Sequence, residues 1–84
     1  MEVTTFSISS DNDLDGGDSK QITMNKLNGA AAMFCSFNTV DDDSDGTFSC
    51  EVFTVNPSQW ILKITAFSDK INNTCKAECI HFFT

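Results

Sequence analysis

The sequence has no arginine, only one histidine and no long apolar run, and each shortage excludes a class of function. Without arginine the chain lacks the usual bidentate reader of phosphate. Five lysines against twelve acidic residues leave a net charge of -7, which opposes phosphate backbones and anionic lipid, so no nucleic-acid partner is expected. No apolar stretch approaches the roughly 18 residues that span a bilayer, and no membrane insertion is expected. His81 has no motif that pairs it with a serine or threonine nucleophile. It falls on the same strand face as Cys79, where a histidine is expected to be packed and not catalytic. The start, Met1-Glu2-Val3-Thr4-Thr5-Phe6, has neither the basic residues nor the apolar core of an export leader, and the expectation is that a leader has been removed.

What the chain does have is four cysteines in 84 residues. A chain this short buries only about 60% of the surface its unfolded form exposes, so its core needs reinforcement. None of the cysteine spacings is the Cys-x-x-Cys of a zinc site, and His81 alone cannot complete one. An even number of cysteines in a small chain reads instead as a covalent frame, and such frames belong to oxidising compartments. One disulfide-stabilised β domain over 1–84, secreted or periplasmic, is expected.

The local pattern is mostly that of strands. Thr4, Phe6 and Ile8 alternate with Val3, Thr5, Ser7 and Ser9, a first strand. Ser9 to Ser19 is too polar and too rich in turn formers to be anything but a loop. Gln21 to Leu27 forms a brief second strand, followed by an Asn28-Gly29 turn. Ala30 to Val40 and Gly46 to Val55, both rich in Phe, Val and Thr, read as the two arms of a hairpin closed by Asp45-Gly46.

The segment after Asn56-Pro57 is ambiguous. As a helix over 57–71 it would have Asn56 as cap, Pro57 at the first position and a Trp60, Ile61, Ile64, Phe67, Ile71 stripe, giving an α+β fold. As a strand it alternates, and its β-branched content favours that reading. The last segment decides for strand: Cys75, Ala77, Cys79, His81 and Phe83 share one face, and Lys76, Glu78, Ile80 and Phe82 the other. The nearest neighbour in sequence, Gln59 to Phe67, is expected beside it. The sum is a mainly β fold, a small antiparallel β-sandwich or open barrel of five to six strands in a meander, with two disulfides.

The strand reading constrains the disulfides. On one extended strand the Cα atoms of Cys75 and Cys79 stand about 13 Å apart, beyond the roughly 7 Å that a disulfide tolerates. Cys35 and Cys50 must then bond the C-terminal strand, in either of the two remaining pairings. A helix would bring i and i+4 to about 6 Å and readmit a Cys75–Cys79 bond.

Two acidic loops carry the sharpest functional pattern: Asp11-x-Asp13-x-Asp15-Gly16 and Asp41-x-Asp43-x-Asp45-Gly46 repeat the opening spacing of a calcium-binding loop. Position 12 of that motif needs a bidentate glutamate, and here it is Ile22 in the first copy and Val52 in the second. Hydrated turns are the plainer reading of both. Calcium is the one candidate cofactor, with Asp11, Asp13, Asp15, Asp41, Asp43 and Asp45 as candidate ligands.

Eight phenylalanines and Trp60 are expected mainly in the core, because large aliphatic residues are few. Asn72-Asn73-Thr74 matches a glycosylation sequon. With no nucleophile, base or tuned carboxylate pair, no enzyme is expected. The reading is a binding module for a protein or glycan partner, basic if charge guides it, as in inhibitor and immunity proteins of this size. The alternative is a calcium-dependent module that uses the two Asp-rich loops.

Overall fold

The computed structural model describes residues 1–42 and 46–84, with side chains of 40–42 excepted. It contains six strands and, among the described residues, no helix: β1 (Glu2–Ser9), β2 (Ser19–Asn25), β3 (Ala32–Asp42), β4 (Phe48–Asn56), β5 (Gln59–Ala66) and β6 (Asn73–Phe82). They form two antiparallel three-stranded sheets, β1-β6-β3 and β2-β5-β4.

The segment with two readings is β5. The tetrad that resembles a helix start makes a reverse turn instead: Asn56 Oδ1 accepts the Ser58 N–H at 2.9 Å, and Pro57-Ser58 closes the β4–β5 hairpin. An Asx turn satisfies the same backbone donor in either context, so the capping signal was genuine but served a hairpin. With Ile61, Ile64 and Thr65 following, the strand prevails over the helix.

Two expected pairings are corrected. The arms 30–40 and 46–55 do not form a hairpin: β3 lies in one sheet and β4 in the other, and Asp45 of the expected turn lies outside the described residues. The terminal strand β6 does not lie beside β5 either, but between β1 and β3. Every connection except β4–β5 changes sheet, so there is no meander. The physical reason is distance. Packed sheets lie about 10 Å apart and paired strands about 4.8 Å. The dipeptide Pro57-Ser58 is too short for the first journey, whereas the longer loops make it.

Strand β6 alternates without fault, burying Asn73, Cys75, Ala77, Cys79 and His81. Opposite it, β5 buries Leu62, Ile64 and Ala66. The core between them adds Ile8, Met24, Met33 and Cys35, closed at one end by Leu14 and Ile71 from the loops.

Both disulfides lie in this layer. Cys35–Cys79 joins directly opposed residues of β3 and β6, with Cα atoms 4.0 Å apart, and Cys50–Cys75 ties β4 to β6 across the sheets at 5.8 Å. Both therefore run from the 30–55 region to the last strand, one of the two arrangements the strand geometry allows.

The phenylalanines correct a further expectation. Phe6 and Phe48 pack on the core only in part, and Phe34, Phe37, Phe53, Phe67, Phe82 and Phe83 are exposed. Half-cystines, alanines and unbranched or aliphatic chains fill the inward positions of the two central strands. Most of the rings fall on outward positions or beyond the strand ends.

Candidate binding groove

The molecule is elongated, with principal extents of 45 × 20 × 14 Å, and its two ends differ in chemistry. One end gathers the loops 10–18 and 67–72, Gly46-Thr47 and the end of β3, and with them Asp11, Asp13, Asp15, Asp18, Asp41, Asp42 and Asp69. The other gathers the 26–31 crossover, the Pro57-Ser58 turn and the chain end at 83–84.

The acidic loop 10–18 is fastened to the sandwich mainly by its backbone. Ser10 N–H donates to Asn73 O at 2.9 Å and Gly17 N–H to Ala66 O at 2.7 Å, while Lys70 N–H donates to Leu14 O at 2.7 Å. The Ser10 hydroxyl donates to Ile71 O at 2.6 Å and accepts the Asn73 N–H at 2.9 Å. Its carboxylates do not share one centre: Asp11 and Asp13 turn to one lysine and Asp15 to another. Lys20 Nζ lies 3.9 Å from Asp11 and 3.4 Å from Asp13, and Lys70 Nζ lies 3.3 Å from Asp15. Asp69 Oδ1 accepts the Gly16 N–H at 2.8 Å, and Asp18 Oδ2 accepts that of Asp15 at 3.1 Å.

Among the described residues no three His, Cys, Asp or Glu side chains converge as metal ligands. The twelfth positions of the motif, Ile22 and Val52, lie on β2 and β4 and pack against the core. Of the second loop, Asp43 and Asp45 lie outside the described residues, and of Asp41 only the backbone is described, opposite Thr74.

His81 is fully buried near the other end. Its Nδ1 accepts the Leu27 N–H at 3.2 Å, which places the ring proton on Nε2, 2.7 Å from the Thr4 hydroxyl. The imidazole thereby clips the 26–31 crossover to β6 and β1. At Gly29, φ is +88° at the third position of the turn closed by Ala30 N–H to Leu27 O, a conformation that favours glycine.

Beside this clip, β3 and the β4–β5 turn diverge and leave an apolar groove of about 360 Å³, lined by Met33, Phe34, Val55, Pro57 and Trp60, with Thr54 and Asn56 at its edge. A register shift between Thr54 and Asn56 interrupts the β4 pairing at Val55, which is 55% exposed. The turn that carries Val55 and Pro57 is held by its own hydrogen bonds, Thr54 Oγ1 to Asn56 O at 2.8 Å and Asn56 Nδ2 to Gln59 Oε1 at 2.8 Å.

On the other wall, Phe34 stands edge-on to Trp60 at 6.5 Å and to Phe82 at 6.1 Å between ring centroids. Phe34 is 62% exposed. It also begins a row across the outer face of its sheet, Phe34, Ile80 and Val3, set by the strand register. Among the described residues no charged side chain lines the groove.

Trp60 was expected in the core; it is half-buried, packed on the core and lining the groove. Phe34 and Val55 carried no motif. The parity of β3 does point to Phe34: Cys35 must face inward to reach β6, so Phe34 must face out. Asn72 of the sequon is exposed. No family model matches the chain, and no curated protein or solved structure matches it at a significant level.

Proposed function

We propose that this chain is a secreted or periplasmic binding module that holds a protein partner by an apolar anchor seated between Phe34, Val55 and Trp60. The observation that carries this reading is the aromatic groove, left open at the end away from the acidic loops in a chain whose core is otherwise thin. Exposed aromatic surface of this kind gains most when a partner covers it, and buried aromatic anchors dominate interface energetics. The two disulfides are compatible with an extracellular or periplasmic location, and among the described residues no helix is long and apolar enough to cross a membrane.

A protein suits the groove better than a glycan. A sugar needs hydroxyl partners, and Thr54 and Asn56 already spend their polar groups within the turn. The aspartates at the far end favour a basic partner by steering its approach, more through association rate than through final affinity. Binding, not catalysis, also accords with the chemistry available. All four cysteines are bridged and both ring nitrogens of His81 are engaged. An inhibitor or immunity protein works by such contact alone.

Trp60 is the only tryptophan, so its emission reports occupancy of the groove directly. A photo-crosslinking residue at Val55 should capture a protein from the native secretory fluid, the purified partner should shift Trp60 emission, and Phe34→Asp should abolish both. Capture that survives Phe34→Asp in a folded variant would defeat the proposal.

A further inference from the structure

The four edge strands of the sandwich are not equally defended against pairing with another chain. Strand β3 carries a bulge between Phe37 and Thr39, and β4 one between Thr54 and Asn56, followed by Pro57. Strand β2 turns a lysine inward: Lys20 is opposite the buried Ile64, and its Nζ lies 3.3 Å from Ser9 O and 3.2 Å from Ser10 O. Bulges, prolines and inward charges are the standard devices that keep sheet edges from associating. Strand β1 carries none of them among its own residues from Val3 to Ser7, and a charge from elsewhere reaches only its last carbonyl, Ser9 O, through Lys20. Its pairing with β6 is unbroken from Glu2 opposite His81 to Ser9 opposite Thr74, and Glu2 at its end is its only charge.

We infer that the outer edge of β1 pairs with β1 of a second copy of this chain, antiparallel about a two-fold axis near Phe6, to join two sheets β1-β6-β3 into one of six strands. Three observations select a second copy as the occupant.

The first is self-complementarity, which any two-fold interface requires. Around Phe6 the strand reads alike in both directions, with the hydroxyl residues Thr5 and Ser7 on either side and the β-branched Thr4 and Ile8 beyond them. Centred there, Phe6 meets Phe6, Thr4 meets Ile8, and Thr5 meets Ser7 of the other copy. Side chains of like character thus share each face.

The second is the incomplete burial of Phe6. It packs against the core but remains only partly covered, and the equivalent ring across the axis would cover it.

The third is charge. The acidic loop 10–18 follows β1 directly, so a parallel pairing would set the two loops side by side. The antiparallel pairing sends them to opposite ends, separated by about the length of an eight-residue strand, roughly 27 Å, against a screening length of about 8 Å. A net charge of -7 therefore does not oppose this dimer as it would one built through the acidic end. The edge is separate from the groove, and the inference does not depend on the reading given above.

Sedimentation equilibrium over a range of concentrations, paired with hydrogen exchange, tests it. The expected result is a rise in mass from 9.2 kDa toward twice that value, with the amides on the outer edge of β1 gaining protection as the mass rises. Thr5→Lys, at an exposed position, should hold the mass at 9.2 kDa while its melt at high dilution matches the parent. A mass of 9.2 kDa at every concentration overturns the inference. So does a dimer in which the β1 amides gain no protection, or one that Phe34→Asp dissolves and Thr5→Lys does not. The exchange measurement needs no variant and decides the matter even if Thr5→Lys fails to fold.

Discussion

The acidic end and the aromatic end of this sandwich are fastened differently: main-chain hydrogen bonds hold both, but the acidic loop makes more of them and the aromatic end relies on a buried side chain as well. At the acidic end the loops are stitched to the sheets by main-chain hydrogen bonds, and Leu14 and Ile71 close the core beneath them. At the aromatic end two main-chain bonds, Lys26 N–H to Ser58 O at 2.9 Å and Ala31 N–H to Phe82 O at 2.7 Å, join a buried imidazole in holding the crossover, and most of the large rings lie outside. Loop polarity is therefore a poor guide to rigidity. The most charged segment is the better anchored, while the apolar segment keeps its surface open and available for binding.

The largest effect should come from the covalent frame on which both ends hang. The bridges close loops of 44 and 25 residues, worth about 4 and about 3.5 kcal/mol in the chain-entropy model, a large share of the roughly 5–15 kcal/mol typical of a folded domain. Reduction should unfold both ends together. A thermal melt unchanged by thiol reductant would show that the sheets hold without their bridges.

Next in size is the clip at the aromatic end. His81→Ala removes the partner of both the Leu27 N–H and the Thr4 hydroxyl and leaves a cavity, a loss of about 2–4 kcal/mol. Denaturant unfolding measures it. Hydrogen exchange should show the 26–31 crossover opening before the loop 10–18, and the reverse order would contradict the comparison.

At the acidic end, Gly46 abuts the buried Ile71 so closely that a Cβ would collide with its side chain. Gly46→Ala should cost about 1–3 kcal/mol, the usual penalty of overpacking, read as a lower denaturant midpoint at constant slope. A neutral result would mean that this corner yields, and that the acidic end is less firmly packed than its hydrogen bonds suggest. The smallest effect on stability belongs to Phe34→Asp, about 1 kcal/mol or less, since the ring is mostly exposed and loses only its edge contacts with Trp60 and Phe82. The same variant should abolish partner capture, which separates binding from folding at that end.

The positions of the strands were largely legible. Alternation located β1, β5 and β6, and the thirteen-ångström argument on Cys75 and Cys79 sent both bridges from the 30–55 region to the last strand, as found. Their partners were not legible. The Asp45-Gly46 pair reads as a hairpin turn, yet β3 and β4 lie in different sheets, because Asp-Gly favours a change of chain direction without specifying which strands pair afterwards. The groove was half legible. Cys35 facing inward implies Phe34 facing out, but no local signal brings Phe34 within 6.5 Å of Trp60, which comes from a strand of the other sheet.

The amino-acid sequence by itself determined which faces of β1, β5 and β6 turn inward, that two disulfides tie the middle of the chain to its end, and that Asp11, Asp13, Asp15 and Asp18 share a loop. These follow from side-chain period, bond geometry and local polarity, all of which act over a few residues. The tertiary structure alone decided which strands are neighbours, which bridge crosses the sheets, and that six of the eight phenylalanines stay outside. Those outcomes depend on how two sheets share one thin layer of space. Residues such as Phe34 and Trp60 acquire a common surface only when chain segments distant in sequence are brought together.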